Sequence, residues 1–121
     1  MRFNFAFVNF LVLILFCFSF VRKESFLESG TASYYANRFH GRITSSGEVF
    51  NQNYLTAAHK TLPFGTILKV LNTRNDSIVY VKVNDRLPMR SRKVIDLSLK
   101  AAQKLNFVNN GITQVNINKV H

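Results

Sequence analysis

Hydrophobic positions in this chain follow two regimes. Residues 5–21 form one almost unbroken apolar run, preceded by Arg2 and followed by Arg22-Lys23-Glu24. Beyond it, apolar residues come in short runs separated by turn formers. Residues 31–36 alternate and carry two tyrosines, which predicts a first strand. Residues 37–53, rich in Gly, Ser, Asn and Thr, read as a long loop; in a small domain such a loop is functional or disordered. A short extended segment is expected at 56–59, stopped by Leu62-Pro63-Phe64-Gly65. Two β-branched runs, 66–71 and 78–83, flank Asn72-Thr73-Arg74-Asn75-Asp76 and predict a hairpin with Asn75-Asp76 in its turn. Residues 94–97 are a further short strand. Ser98 then caps a helix to about Asn106, with Ala101, Ala102 and Leu105 at helical spacing. Asn109-Asn110-Gly111 ends that region, and 112–120 alternate as a last strand. Many short strands with one helix argue for a mainly β fold, a small closed barrel that leaves no exposed edge.

The N-terminal run reads as an export signal or membrane anchor over residues 1–24, with 25–29 a connector and 30–121 the folded domain. Phe18-Ser19-Phe20-Val21 offers no small-x-small cleavage site, and a run of about 17 apolar residues can just span a bilayer core. Cys17 is the only cysteine, so the domain contains no disulfide. Leu15 and Phe16 are bulky where lipid attachment wants a small neighbour, so Cys17 reads as one more apolar residue.

With 121 residues the chain has room for one domain and that appendage. Its net charge of +10 and pI of about 10.3 fit a polyanionic partner. Nucleic acid is disfavoured: the basic residues are scattered, no recognition helix or zinc-ligand spacing is present, and export would remove the chain from the cytoplasm. A wall polymer bearing carboxylates and phosphates suits the same charge.

Several residues could carry chemistry. Asp85 lies between Asn84 and Arg86 at a strand end. It reads either as a turn aspartate paired with an arginine or as a general acid whose pKa is raised by Leu87, Pro88 and Met89. Glu48, after Gly47, is by default a solvated loop residue, and His59 a core histidine of a short strand. Asp96, on an apolar strand just before Ser98, is placed for structural support of backbone donors or the helix start. Tyr34 and Tyr35 line the core, a groove, or one of each by alternation. Thr44, Ser45 and Ser46 lack a base that would make any of them a nucleophile.

Five blocks occur in order: Gly30-Thr31-Ala32-Ser33-Tyr34-Tyr35, Gly47-Glu48-Val49-Phe50, Leu55 through Gly65, Val83-Asn84-Asp85-Arg86, and Val94-Ile95-Asp96-Leu97-Ser98. Together they resemble the RlpA family of bacterial envelope proteins, related to barwin, expansin and MltA barrels. The resemblance implies a six-stranded double-psi β-barrel. It also implies an endolytic lytic transglycosylase that cuts peptidoglycan between MurNAc and GlcNAc with closure of a 1,6-anhydro ring. Asp85 would be the catalytic acid/base, with Glu48 and His59 assisting and Tyr34, Tyr35, Asn84 and Arg86 contacting substrate. No metal or organic cofactor is implied, and a monomer exported to the cell envelope is expected. The alternative is a non-catalytic, expansin-like glycan-binding barrel. Two positions depart from the family pattern: Leu87 stands where the family has glycine after Asn-Asp-Arg, and Ser91 replaces the glycine before Arg92. If position 87 needs positive φ, leucine costs roughly 1 kcal/mol and could shift Asp85.

Overall fold

Alternation along the chain is realised as six strands that close on themselves. The computed structural model describes residues 27–120, so the N-terminal segment with Cys17 lies outside the described residues. The strands are β1 (Glu28–Tyr34), β2 (Thr56–His59), β3 (Ile67–Asn72), β4 (Ile78–Arg86), β5 (Ile95–Leu97) and β6 (Thr113–Val120). One helix, α1 (Leu99–Lys104), and a 3-10 turn (Asn37–Phe39) complete the elements. Around the barrel the order is β1-β5-β2-β4-β3-β6, closed. Only β3 and β4 form the expected hairpin, pairing Ile67 with Lys82 through Leu71 with Ile78. Asp76 takes φ 62 in its turn, a conformation that aspartate tolerates. Two pairs, β1–β5 and β2–β4, are parallel and need crossing connections rather than tight turns.

β1 starts earlier than the pattern predicts. Glu28 and Ser29, read as connector, pair with Ile117 and Asn116 of β6. Gly30 is required by close approach, since a Cβ there would lie 2.4 Å from a Val94 methyl carbon.

The barrel interior is filled by Ala32, Ala57, Leu68, Val70, Val81, Val83, Leu97, Val115 and Ile117, with Ala101, Ala102, Leu105 and Phe107 packed against them. Among the buried polar side chains, Asn72 has its amide satisfied: it donates to the Leu105 carbonyl at 2.7 Å and accepts from Thr113 Oγ1 at 2.8 Å. Ser98 caps α1 by accepting from the Ala101 N–H. The helix is shorter than its spacing suggests, closing at Lys104 before Asn106 turns to φ 55.

A register shift between Ala57 and Ala58 gives β4 one extra residue, because Ala57 pairs with Val83 and Ala58 with Asp85. Ala57 therefore belongs to the interior. Ala58 belongs to a second apolar cluster with Tyr35, Phe50 and Leu87, flanked by Phe39 from the long loop. This second cluster carries the candidate site.

Candidate active site

The bulge sets the position of Asp85. With Asn84 as the extra residue, the Asp85 side chain falls beside Ala58 and beneath the 37–53 loop. Three donors converge on its carboxylate: Tyr35 Oη at 2.5 Å on one oxygen, and the N–H groups of Ser45 and Arg86, both at 2.9 Å, on the other. Burial pushes its pKa up. The hydrogen bonds from Tyr35, Ser45 and Arg86 outweigh that and hold it below the usual aspartate value. This differs from the raised pKa expected of an acid against Leu87, Pro88 and Met89, because Pro88 and Met89 are exposed and polar donors surround the group. Tyr35 is affected in the opposite sense, its hydroxyl kept protonated by burial and by the Asp85 carboxylate.

The loop above Asp85 is ordered. Phe50 N–H donates to Arg42 O at 2.7 Å, Gly41 N–H to Phe50 O at 2.8 Å, and Ile43 bridges Val49. At its tip, Thr44 to Glu48 forms a turn with Gly47 at φ 91, pinned to the barrel by Ser46 N–H on Asn84 O at 3.2 Å. Phe50 stacks on Tyr35 with ring centres 4.2 Å apart, and Phe39 meets Tyr35 edge-on at 5.9 Å. The result is a cavity of about 250 Å³ lined by Tyr35, Phe39, Arg42, Ile43, Thr44, Phe50 and Asp85. Gln52, which the sequence reading passed over, locks the loop to the barrel. Its amide donates to Tyr35 O at 2.8 Å and accepts from Leu99 N–H, the helix start, at 2.7 Å.

The other candidates fall around this cavity in different ways. Glu48 is exposed and paired with Lys82 at 2.9 Å; that bond lowers its pKa, helped by Asn84. Asn84 is buried, and its Oδ1 has no partner among the described residues. Arg86 lays its guanidinium over the Phe64 ring at 4.1 Å. Tyr34 is not brought to the cleft: its hydroxyl donates to Val108 O at 2.7 Å and its ring meets Phe107. His59 is buried, and its ring is used up elsewhere. Nδ1 accepts from the N–H groups of Thr61 and Leu62 at 3.2 and 3.1 Å, which leaves Nε2–H to donate to Glu28 at 2.8 Å. Its carbonyl takes the Leu87 N–H at 3.3 Å, so His59 braces the chain segment that follows Asp85. No sequence signal pointed to Glu28, which is 31 residues away and lay in the expected connector.

Among the described residues Asp96 accepts from no backbone N–H, and the helix start is bonded by Ser98 and Gln52 instead. Its carboxylate accepts from Ser33 Oγ at 2.9 Å. Burial raises its pKa against the Ser33 bond and Lys93, and Asp85 adds to the rise. Leu87 shows no strain: among the described residues only Asp76 and Asn106 are non-glycines at positive φ, and the leucine side chain is buried against Tyr35, Phe50 and Ala58. No three His, Cys, Asp or Glu side chains converge among the described residues in a way that would hold a metal.

Comparison with known proteins places this geometry. Residues 27–117 match the family described as lytic transglycolase. Over 95 residues the chain is 50% identical to the endolytic peptidoglycan transglycosylase RlpA of Neisseria meningitidis, covering 78% of this chain and 40% of the relative. It is 52% identical over 89 residues to the probable endolytic peptidoglycan transglycosylase RlpA of a Synechocystis species, covering 74% of this chain and 28% of the relative. The chain thus spans well under half the length of these relatives. Among solved structures, the expansin of Clavibacter michiganensis superposes with a TM-score of 0.61 at 22% identity, over 77% of this chain and half of that one. The Streptomyces papain inhibitor gives 0.62 at 22% identity, over 82% of this chain and all of that one. The barrel order, the ordered loop over Asp85 and these likenesses agree: the chain belongs to the RlpA family of lytic transglycolase double-psi β-barrels.

Proposed function

We propose that this domain is an endolytic peptidoglycan transglycosylase working in the bacterial cell envelope, with Asp85 at the reacting sugar. The observation that carries the reading is a carboxylate held by three donors on the floor of an aromatic-lined cleft. Cleavage of the MurNAc–GlcNAc bond without water requires a proton on the leaving oxygen, stabilisation of positive charge at C1, and removal of the 6-hydroxyl proton as O6 closes onto C1. Asp85, held ionised by its donors, is suited to the second and third tasks. Tyr35 fixes its orientation and stacks with Phe50 to form one wall. Glu48, exposed on the loop and paired with Lys82, orients the glycan, and Arg86 on Phe64 extends the surface for sugar contact. Asn84 and the braced His59 set the shape of the segment bearing Asp85. The substrate is the peptidoglycan strand, the protein acts as a monomer, and the N-terminal segment exports or anchors it.

The test is incubation of the purified protein with sacculi, followed by mass spectrometry for anhydro-muropeptides. Wild type releases them, and Asp85→Asn loses about 100- to 10,000-fold while binding sacculi as before. Binding without any release by wild type would move the assignment to the non-catalytic glycan-binding barrel.

A further inference from the structure

The cavity over Asp85 has four polar side chains in its lining: Tyr35, Arg42, Thr44 and Asp85. Three of them are committed within the protein. Tyr35 gives its hydroxyl to Asp85, Thr44 gives its own to the Glu48 carbonyl at 2.9 Å, and Asp85 carries three donors. Arg42 is the exception: among the described residues its side chain has no hydrogen bond and no carboxylate partner. It is held in place all the same. Its N–H donates to Phe39 O at 3.1 Å, its carbonyl accepts from Phe50 N–H at 2.7 Å, and its guanidinium lies 5.2 Å from the centre of the Phe39 ring. Arg38 places a second guanidinium 4.9 Å from the same ring, again with no carboxylate partner among the described residues. Glu48, the one acid of the 37–53 loop, is taken by Lys82.

Phe39, a wall of the cavity, thus carries two uncompensated guanidinium groups, and Arg42 offers its N–H donors to whatever enters. A sugar hydroxyl would leave that charge unmatched. A carboxylate matches the planar fork in both charge and two-point geometry. We propose that Arg42 is the specificity residue of this cleft, binding a carboxylate of the muramyl unit seated at Asp85, with Arg38 adding to the positive field.

This deepens the transglycosylase reading and rests on it for the substrate. The glycan strand alternates two sugars that share a ring and an N-acetyl group. MurNAc differs from GlcNAc by a lactyl ether on O3, so that arm is what a site can use to seat MurNAc rather than GlcNAc. The arm ends in a carboxylate where the stem peptide is absent, and continues into a peptide with its own carboxylates where it is present. Both sources present the same chemistry to Arg42.

The experiment measures affinity for soluble glycan strands, using Asp85→Asn protein so that the strands stay intact. Strands are prepared without and with stem peptides, each with carboxylates free or amidated. Amidation should weaken binding about tenfold in at least one form. Loss confined to peptide-free strands assigns the lactyl carboxylate, and loss confined to peptide-bearing strands assigns the stem peptide. Adding Arg42→Gln, a change at an exposed side chain, should make free and amidated strands bind alike. Arg42→Lys should keep part of the preference, since it retains the charge but not the fork. Arg74→Gln removes an equal charge in the hairpin turn before β4, at the far end of that strand from Asp85, and should keep the preference in full. Equal binding of free and amidated strands in both forms by the Asp85→Asn protein overturns the inference, and so does a preference that survives Arg42→Gln. Carboxylate-dependent binding through Arg42 without any release of anhydro-muropeptides by wild type overturns the catalytic reading instead and leaves Arg42 as the anchor of a glycan-binding site.

Discussion

β2 and β4 each serve two regions, and the regions follow opposite rules. On the inner side, Ala57, Val81 and Val83 meet only apolar neighbours and are fully buried. On the outer side, one residue further along β2 but two further along β4, Ala58 and Asp85 meet a mixed surface: aromatic rings, backbone donors and a half-open cleft. The switch is the single extra residue of the bulge. Inside, stability depends on volume and shape. Outside, it depends on how many donors reach a carboxylate, and part of the surface is left open for a ligand. A damaged interior should lower stability while sparing the chemistry of the molecules still folded. A damaged outer face should do the reverse.

The sharpest break in that comparison is Ile117→Ala, which empties a fully buried barrel position. It should cost about 2–5 kcal/mol, a large share of the total stability of a domain this size, read as a lower urea midpoint. At low temperature, where the protein remains folded, turnover per folded molecule should stay near wild type. A matching collapse of turnover would show that the two regions are not separable.

Tyr35→Phe attacks the outer face. It keeps the ring on Phe50 but removes the hydroxyl from Asp85. A hydrogen bond to a charged group is worth about 1.5–3 kcal/mol, so turnover should fall by about 10- to 100-fold with only a modest loss of stability. The sign of the pH effect is fixed: that bond favours the carboxylate, so its loss raises the pKa of Asp85 and moves the acidic limb of the rate profile to higher pH. An unmoved limb would mean that Asp85 is not the group titrating there.

Leu87→Gly lies on the border of the two regions. With no positive φ to relieve, the substitution only removes a buried side chain from the Tyr35–Phe50–Ala58 cluster. Thermal denaturation should show a loss of about 1.5–3 kcal/mol, and restoring the family's glycine should not raise activity. Smaller still is Lys82→Met. The Lys82–Glu48 pair is 40% and 48% exposed, so stability should change by about 0.5 kcal/mol or less, while the affinity for sacculi reports whether Glu48 needs its partner to orient substrate.

The inner region was the legible one. Alternating Val, Leu and Ile at 66–71, 78–83 and 112–120 announce strands because burial of one face imposes a period of two. Ser98 announces a helix start by its chemistry. The outer region was legible only through resemblance, which pointed to Asp85 and Glu48. Its geometry depends on contacts between distant residues, such as Tyr35 with Asp85, 50 positions apart, and Glu28 with His59. The order of the 37–53 loop was equally hidden, because Gln52 and Phe50 hold it by long-range bonds and stacking rather than by a repeating pattern. No periodicity announces a bulge, so the facing of Asp85 and its shared row with Asp96 appear only once the strands are paired.

The smallest effect separates the two carboxylates of the outer face from each other. The folded-state pKa of Asp85 is depressed, so its contribution to stability is present above the ordinary aspartate value of about 4 and is lost as pH falls through the lower folded value. The folded-state pKa of Asp96 is raised, so its contribution is present below about pH 4 and is lost as pH rises through the higher folded value. Urea midpoints for wild type, Asp85→Asn and Asp96→Asn should therefore diverge in opposite directions. Relative to wild type, Asp85→Asn should look worst near neutral pH and recover on acidification, because wild type then loses what the variant lacks. Asp96→Asn should look worst in acid and improve as pH rises through the Asp96 titration. If both difference curves slope the same way, the two groups share one environment, and the division of the outer face into a donor-rich carboxylate and a donor-poor one is wrong.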